Sequence, residues 1–260
     1  MHKISQSQIS AYNKCRRLYF LKNIARLKWP STAFSSNALM RGTLFHEVVH
    51  RHILGLPDEM LLDYCGDEKV RGWFKRFLEF DPLRGFDELY PEHEISMHEE
   101  GILWEGKYDV LARKGNKITI FDWKTTARKG KASDYIMAPQ TKLYRLLAAS
   151  FIKKIAGSSK AEPSDIQMIY WFPEHPENPV VLPYSEETYQ QDLTWLKMEA
   201  ALLRSDKIED YGMTDDPENC IGCRYCTYCH TGAAASDIIN DEDDEILENF
   251  DTDDYLEIIF

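Results

Sequence analysis

Asp122 and Lys124, in the run Phe121-Asp122-Trp123-Lys124, are the side chains best placed to do chemistry. Lys117 to Ile120 leads into them from a Gly115-Asn116 turn and reads as a strand. Successive strand side chains alternate sides, so Ile118, Ile120, Asp122 and Lys124 share a face. Two aliphatics anchor that face, which then delivers a carboxylate and an ammonium. Unpaired buried charge is costly, and the plainest reading is a local Asp–Lys pair at a strand end. The preceding strand-like stretch, Leu103 to Ala112, changes this, because it carries Gly106-Lys107-Tyr108-Asp109. The linker Arg113-Lys114-Gly115-Asn116 is a hairpin-type connection. Antiparallel pairing then brings Asp109 toward Asp122 and Lys124. Two carboxylates that close repel unless a cation sits between them. A hard divalent ion, Mg²⁺ or Mn²⁺, suits oxygen ligands, and the lysine can orient a water or stabilise charge on a phosphate.

Two other clusters could hold metal. His46-Glu47-Val48-Val49-His50 lies on a helix expected over about Gly42 to Leu54 and matches the H-E-x-x-H pattern of zinc peptidases. A surface histidine pair is the commoner outcome of such spacing. The second cluster is Cys220, Cys223, Cys226 and Cys229, four thiols in ten residues. Without a secretory context, such cysteines point to metal or redox use rather than disulfides. A local zinc knot would use all four. A ferredoxin-type cluster wants a longer last spacing and a proline where His230 stands.

Asp109, Asp122 and Lys124, with Arg41-Gly42-Thr43-Leu44-Phe45-His46, Gln140 to Tyr144 and the cysteines, resemble the PD-(D/E)XK nuclease superfamily. They are closest to its RecB-like branch, which includes the CRISPR-associated exonuclease of the fourth Cas type and the nuclease domain of AddB. The resemblance runs from about Ile4 to Cys229. It implies a metal-dependent DNA nuclease, expected to be an exonuclease on single strands or duplex ends, in CRISPR adaptation or DNA repair. His46, Asp109, Asp122 and the Trp123 carbonyl would hold Mn²⁺ or Mg²⁺. Lys124 would position water or stabilise the phosphate, supported by Gln140 and Tyr144. The branch's cysteine pattern implies a 4Fe-4S cluster on Cys15, Cys220, Cys223 and Cys229, with Cys226 a departure from it. His50 then has no role. The alternatives are a non-catalytic DNA-binding adaptor of the same fold in a larger complex and a zinc peptidase using His46 and His50.

The elements that must position these residues follow from the rest of the chain. Ser5-Gln6-Ser7 caps a first helix, where Ile9, Tyr12, Arg16 and Tyr19 make a stripe. Lys14, Arg16, Arg17, Lys22, Arg26 and Lys28 make this region basic, interleaved with Tyr12, Tyr19, Phe20 and Trp29. That suits either a solvated face over core aromatics or a backbone-binding surface, and the resemblance favours DNA contact by Arg16 and Arg17. The basic loop Arg128-Lys129-Gly130-Lys131 beside the proposed metal suits phosphates as well. Further helices are expected over Asp67 to Phe80, as an insertion covering the site, Tyr135 to Ile155 and Ser185 to Leu203. Strands are expected around Glu92 to Glu99, Ile166 to Phe172 and Val180 to Leu182, and one of Glu92, Glu94 and Glu99 could add a carboxylate to the metal. Cys65 reads as a buried thiol. The fold expected is α/β, a mixed sheet flanked by helices with a restriction-endonuclease-like core, its cysteine segment joining the N- and C-terminal parts.

With 43% hydrophobic and 12% aromatic residues among 260, the chain can bury a substantial core. A single domain over residues 1–235 is expected, followed by an acidic, disordered tail over 236–260. Net charge is −12, but residues 237–260 hold 11 acids and no Lys or Arg, leaving the remainder nearly neutral. The tail ends in the apolar run Tyr255 to Phe260, which suits an inert solubilising tail, a docking peptide or a mimic of DNA. No apolar run is long enough to span a membrane, and the N-terminus lacks a signal-peptide core. A cytoplasmic protein is expected.

Overall fold

The computed structural model describes residues 3–27, 37–126, 129–205, 207–221 and 223–229. Among them are six strands, β1 (Lys3–Ser5), β2 (Glu88–Glu99), β3 (Ile102–Lys114), β4 (Lys117–Trp123), β5 (Ile166–Trp171) and β6 (Val180–Pro183). The helices are α1 (Gln6–Lys14), α2 (Arg16–Tyr19), α3 (Asn37–Ile53), α4 (Asp58–Tyr64), α5 (Glu68–Phe80), α6 (Ala132–Met137), α7 (Pro139–Ser150), α8 (Ile152–Ile155), α9 (Glu186–Ser205) and α10 (Cys226–Cys229). The strands form one mixed sheet flanked by helices, the α/β architecture expected.

β3 has two different edges. One is covered end to end by β2, from Glu88 opposite Arg113 to Glu99 opposite Ile102. The other is shared: β4 pairs antiparallel with Val110 to Lys114, and β1 pairs parallel with Leu103 to Glu105. Between them, Gly106, Lys107, Tyr108 and Asp109 pair with no strand on that edge among the described residues. β4 continues past this fork, held instead by parallel β5, from Ile118 opposite Ile166 to Trp123 opposite Trp171.

Each sheet face has its own core. On one, Leu143, Tyr144, Leu146 and Leu147 of α7, with Leu196 and Ala200 of α9, cover Trp104, Tyr108, Ile118 and Ile120. On the other, Phe45 and Val48 of α3 and Trp73, Phe74 and Phe77 of α5 cover Val110, Phe121, Trp123 and Trp171. In β3, Tyr108 and Leu111 belong to the first core, whereas Val110 belongs to the second. The alternation therefore slips once, next to Asp109. On β2, between Pro91 opposite Val110 and His93 opposite Tyr108, the pairing skips Glu92, which has φ 51, the left-handed region that a non-glycine residue adopts at a cost.

Some boundaries differ from expectation. The helix expected over Tyr135 to Ile155 is three pieces, because Pro139 excludes its predecessor from helical geometry, and Ala138 is extended at ψ 136. A second break falls at Phe151, φ −116 and ψ 9. α5 packs Trp73, Phe74 and Phe77 into the second core, so it forms part of the layer covering that sheet face. β1 and α4 are additional, too short to carry a periodic signal. Ser5 caps α1 as expected, its N–H donating to Gln8 at 2.9 Å, and Cys65 is buried.

The cysteine segment lies against the N-terminal helices. The Arg17 N–H donates to the Gly212 carbonyl at 3.0 Å, and the Tyr225 hydroxyl to the Leu27 carbonyl at 2.8 Å. Tyr211 stacks on Tyr19. The segment thus joins the two ends of the fold. Arg128, Lys28, Trp29, His230 and the acidic tail lie outside the described residues.

Gly106 sits where α7 crosses the uncovered part of β3, and a Cβ there would meet Tyr144 and Leu147 carbons at 3.1 Å. Gly106→Ala should therefore cost about 1–3 kcal/mol, as overpacking does. Gly72, inside α5 with nothing within 4 Å of such a Cβ, should instead gain about 0.5–1 kcal/mol as alanine. Urea unfolding of both variants checks the opposite signs.

Candidate active site

Trp123 belongs to β4 beyond the fork, so its N–H has no strand partner on the β3 side. The Asp109 carboxylate takes that place, with Oδ2 accepting from the Trp123 N–H at 2.7 Å. The other oxygen, Oδ1, faces Nδ1 of His46 at 3.0 Å, and Nε2 of the same ring faces the Trp123 carbonyl at 3.0 Å. α3 brings His46 there because Phe45, Val48 and Val49 bury its face on the sheet.

Both His46 nitrogens thus face acceptors, which suits the doubly protonated ring. Burial opposes that charge, but Asp109, by charge and hydrogen bond, and Asp122 outweigh it, raising His46 to about 9. Asp109 moves the other way. Burial favours its neutral form, yet His46, the Trp123 N–H and Lys124 together hold its pKa below the usual range.

Asp122 and Lys124 lie on the α7 side. Asp122 is buried, and its Oδ1 accepts from Gln140 Nε2 at 2.6 Å. Its Oδ2 is buried without an aligned hydrogen-bond donor; the nearby cation is the Lys124 ammonium, 3.0 Å away. Burial, reinforced by the Asp109 charge, raises Asp122 to about 6 against the pull of Lys124 and His46. Lys124 also donates to Gln140 Oε1 at 3.0 Å, and its ammonium stands 5.5 Å from the centre of the Tyr170 ring. The Lys124 N–H donates to the Trp171 carbonyl at 2.9 Å. Tyr170 and Trp171 carry no sequence signal, since only the parallel pairing of β4 with β5 brings them here.

The structure thus gathers His46, Asp109, Asp122, Trp123, Lys124 and Gln140. Tyr144, one turn after Gln140, is buried with its ring 4.8 Å from that of Tyr108. Arg16 and Arg17 lie over the Tyr12 and Phe20 rings. Lys129 donates to the Asn178 carbonyl at 2.6 Å, and Lys131 is exposed.

A divalent cation fits the donor set. Asp109, Asp122 and the Trp123 carbonyl supply hard oxygens, and the buried Asp122 Oδ2 has the Lys124 ammonium 3.0 Å away. Among the described residues no three His, Cys, Asp or Glu side chains are already arranged around a metal position. That holds for the cysteines as well as for the fork, where both His46 nitrogens are occupied by Asp109 and the Trp123 carbonyl. The peptidase arrangement is not assembled, since Glu47 turns to Arg51 and the Tyr64 hydroxyl.

The cysteines form a separate group. Cys15 sits at a break between α1 and α2, extended at φ −162 and ψ 119. It lies close enough to Cys220, Cys223 and Cys229 to act on their ionisation, and Cys226 does so on Cys220 and Cys229. Burial is the main cause that holds all three thiols above their ordinary range.

Residues 3–230 match the model of the PD-(D/E)XK nuclease superfamily. Among curated proteins none matches the sequence significantly. A solved Eubacterium rectale protein, provisionally named an exonuclease, is 12% identical over 93% of this chain and 92% of its own, with a TM-score of 0.54. That likeness is one of fold, consistent with a restriction-endonuclease-like core. A second solved structure, 12% identical over 90% of this chain and 88% of its own, has a TM-score of 0.39, too low to bear on the fold.

The proton positions set a pH dependence. His46, at about 9 in the fold, adds stability below its unfolded value, ~6.5, and loses it as pH rises through 9. Asp122, raised to about 6, stabilises its neutral form and loses that contribution between about pH 4 and 6. A divalent ion needs both groups deprotonated, so its binding releases protons and strengthens with pH. The rise in Tm on adding Mn²⁺ should be larger at pH 8 than at pH 6, and His46→Ala should flatten the difference. Equal shifts at both pH values would contradict the assignment.

Proposed function

The chain belongs to the PD-(D/E)XK nuclease superfamily, and we propose that it is a metal-dependent DNA nuclease of the RecB-like branch. Its proposed activity is that of an exonuclease on single strands or duplex ends, serving CRISPR adaptation or DNA repair. The observation that carries the reading is the strand fork, where Asp109, Asp122, Lys124, Gln140 and His46 are joined by hydrogen bonds and charge.

Asp109, Asp122, the Trp123 carbonyl and His46 would hold Mn²⁺ or Mg²⁺, which when bound polarises a phosphoryl oxygen and makes a bound water more acidic. Lys124 presents its ammonium beside Asp122, where charge develops on a phosphate under attack. Gln140 bridges the two, accepting from Lys124 and donating to Asp122, so it fixes the ammonium's direction. Tyr144 holds α7 against β3 through its contact with Tyr108. Arg16, Arg17, Lys129 and Lys131, with Arg128 in the loop, are proposed DNA contacts.

Residues 1–235 are proposed as one nuclease domain holding a 4Fe-4S cluster on Cys15, Cys220, Cys223 and Cys229. Cys15 and Cys226 both lie near enough to Cys220 and Cys229 to act on their ionisation, so it is the family resemblance that favours this ligand set over a zinc knot confined to Cys220–Cys229. The adaptor reading gives no reason for the joined Asp109, Asp122 and Lys124. The zinc-peptidase reading leaves the strand fork unexplained.

Asp122→Asn and Lys124→Ala should each lower Mn²⁺-dependent cleavage of labelled DNA by about a hundredfold or more, as loss of a transition-state charge contact does. Their circular dichroism should stay that of wild type. Wild-type cleavage by either variant would remove that residue from the mechanism. In anaerobic preparations Cys15→Ser should lose the visible absorbance of the cluster, while Cys226→Ser keeps it. The reverse pattern, with one zinc per chain, would establish the local site.

A further inference from the structure

Lys107 lies in the uncovered stretch of β3, two residues before Asp109. Tyr108 between them turns into the α7 core, so Lys107 and Asp109 turn to the α3 face, where Asp109 meets His46. Two strand residues span about 6.6 Å, which places Lys107 one step beyond the carboxylate along an open edge. The residue directly across from it in register is Glu94. Even so, the Lys107 ammonium is 2.5 Å from Glu92, one step nearer the site, and the two side chains keep 36% and 24% of their surface exposed.

Glu92 is itself unusual. Of the four non-glycine residues with positive φ among the described residues, only Glu92 lies within a strand. Exposed ion pairs contribute little stability, so the pair does not account for a left-handed residue in mid-strand. Such outliers gather at ligand-binding sites. Here it coincides with the slip in β3 next to Asp109, where the pairing skips Glu92.

We propose that Lys107 binds a phosphate of the DNA strand adjacent to the one under attack, and that Glu92 holds its ammonium until DNA displaces it. The proposal rests on the nuclease reading and deepens it. The exchange is of one anion for another at a single ammonium, with no proton transferred. A lysine is a compact point charge with three donors, and backbone phosphate contacts fix a strand's position. Glu92 would then be an intramolecular competitor that disfavours weakly held nucleic acid.

The test is binding of a labelled single-stranded oligodeoxynucleotide in EDTA, across a salt series, for wild type, Lys107→Gln, Lys107→Arg and Glu92→Gln. Lys107→Gln should bind severalfold more weakly at low salt, with a log–log salt slope shallower by about 0.7. Lys107→Arg should keep most of the affinity. Glu92→Gln should bind more tightly than wild type, and that gain should vanish when Lys107→Gln is added, whereas a general loss of negative charge would leave it in place. Melting curves establish that each variant is folded. Should Lys107→Gln and Glu92→Gln weaken binding alike, or leave it unchanged while wild type binds and cleaves, this inference fails and the nuclease reading stands. If wild type neither binds DNA nor cleaves it with Mn²⁺, both fail.

Discussion

The structure turns on the hydrogen bond from the Trp123 N–H to the Asp109 carboxylate. A central strand that leaves its neighbour exposes backbone groups, and each buried orphan costs roughly 1–3 kcal/mol. Asp109 satisfies one of them with a side chain, so β3 and β4 can part without leaving that donor unpaired. The parting opens the β3 edge between β1 and β4, and the catalytic candidates line that opening. Because Asp109 closes the fork and faces His46, the stability of the sheet end and the electrostatics of the site share one carboxylate.

The charges around that carboxylate explain the rest of the geometry. Asp109 and Asp122 lie on the two sides of the parted strands, near enough to act on each other's ionisation. His46 answers the first with a protonated ring, and Lys124 answers the second with an ammonium fixed by Gln140. The ion-free protein is thus balanced by proton and lysine, whereas a divalent ion would release the proton. Lys107 and Glu92 extend the same face of alternating charge one step along β3.

Much of this was legible in the sequence. The alternation of Ile118, Ile120, Asp122 and Lys124 placed the last two on the α7 face, where Gln140 meets them. Hairpin spacing brought Asp109 to Asp122. Hidden were features that arise between distant elements: β1, three residues whose pairing defines one end of the opening, and Tyr170 and Trp171, delivered by a parallel crossover. The pleat slip at Asp109 was equally silent, because Glu92 is not a residue type that announces a left-handed turn. Pro139 is a local signal of the break in the long helix, because its ring bars the preceding residue from helical geometry. That Cys15 lies near enough to the C-terminal cysteines to act on their ionisation was implied by family resemblance, not by local spacing.

The fork is proposed as a cation site built from Asp109, Asp122, the Trp123 carbonyl and His46, whose protonated ring balances the carboxylates when no ion is bound. The direct test is a crystal structure grown with Mn²⁺, read by anomalous scattering. The expected result is a peak touching Asp109, Asp122, the Trp123 carbonyl and one nitrogen of a deprotonated His46, whose ring no longer bridges Asp109 and that carbonyl. A peak between His46 and His50, or none at the fork while that bridge persists, would contradict it.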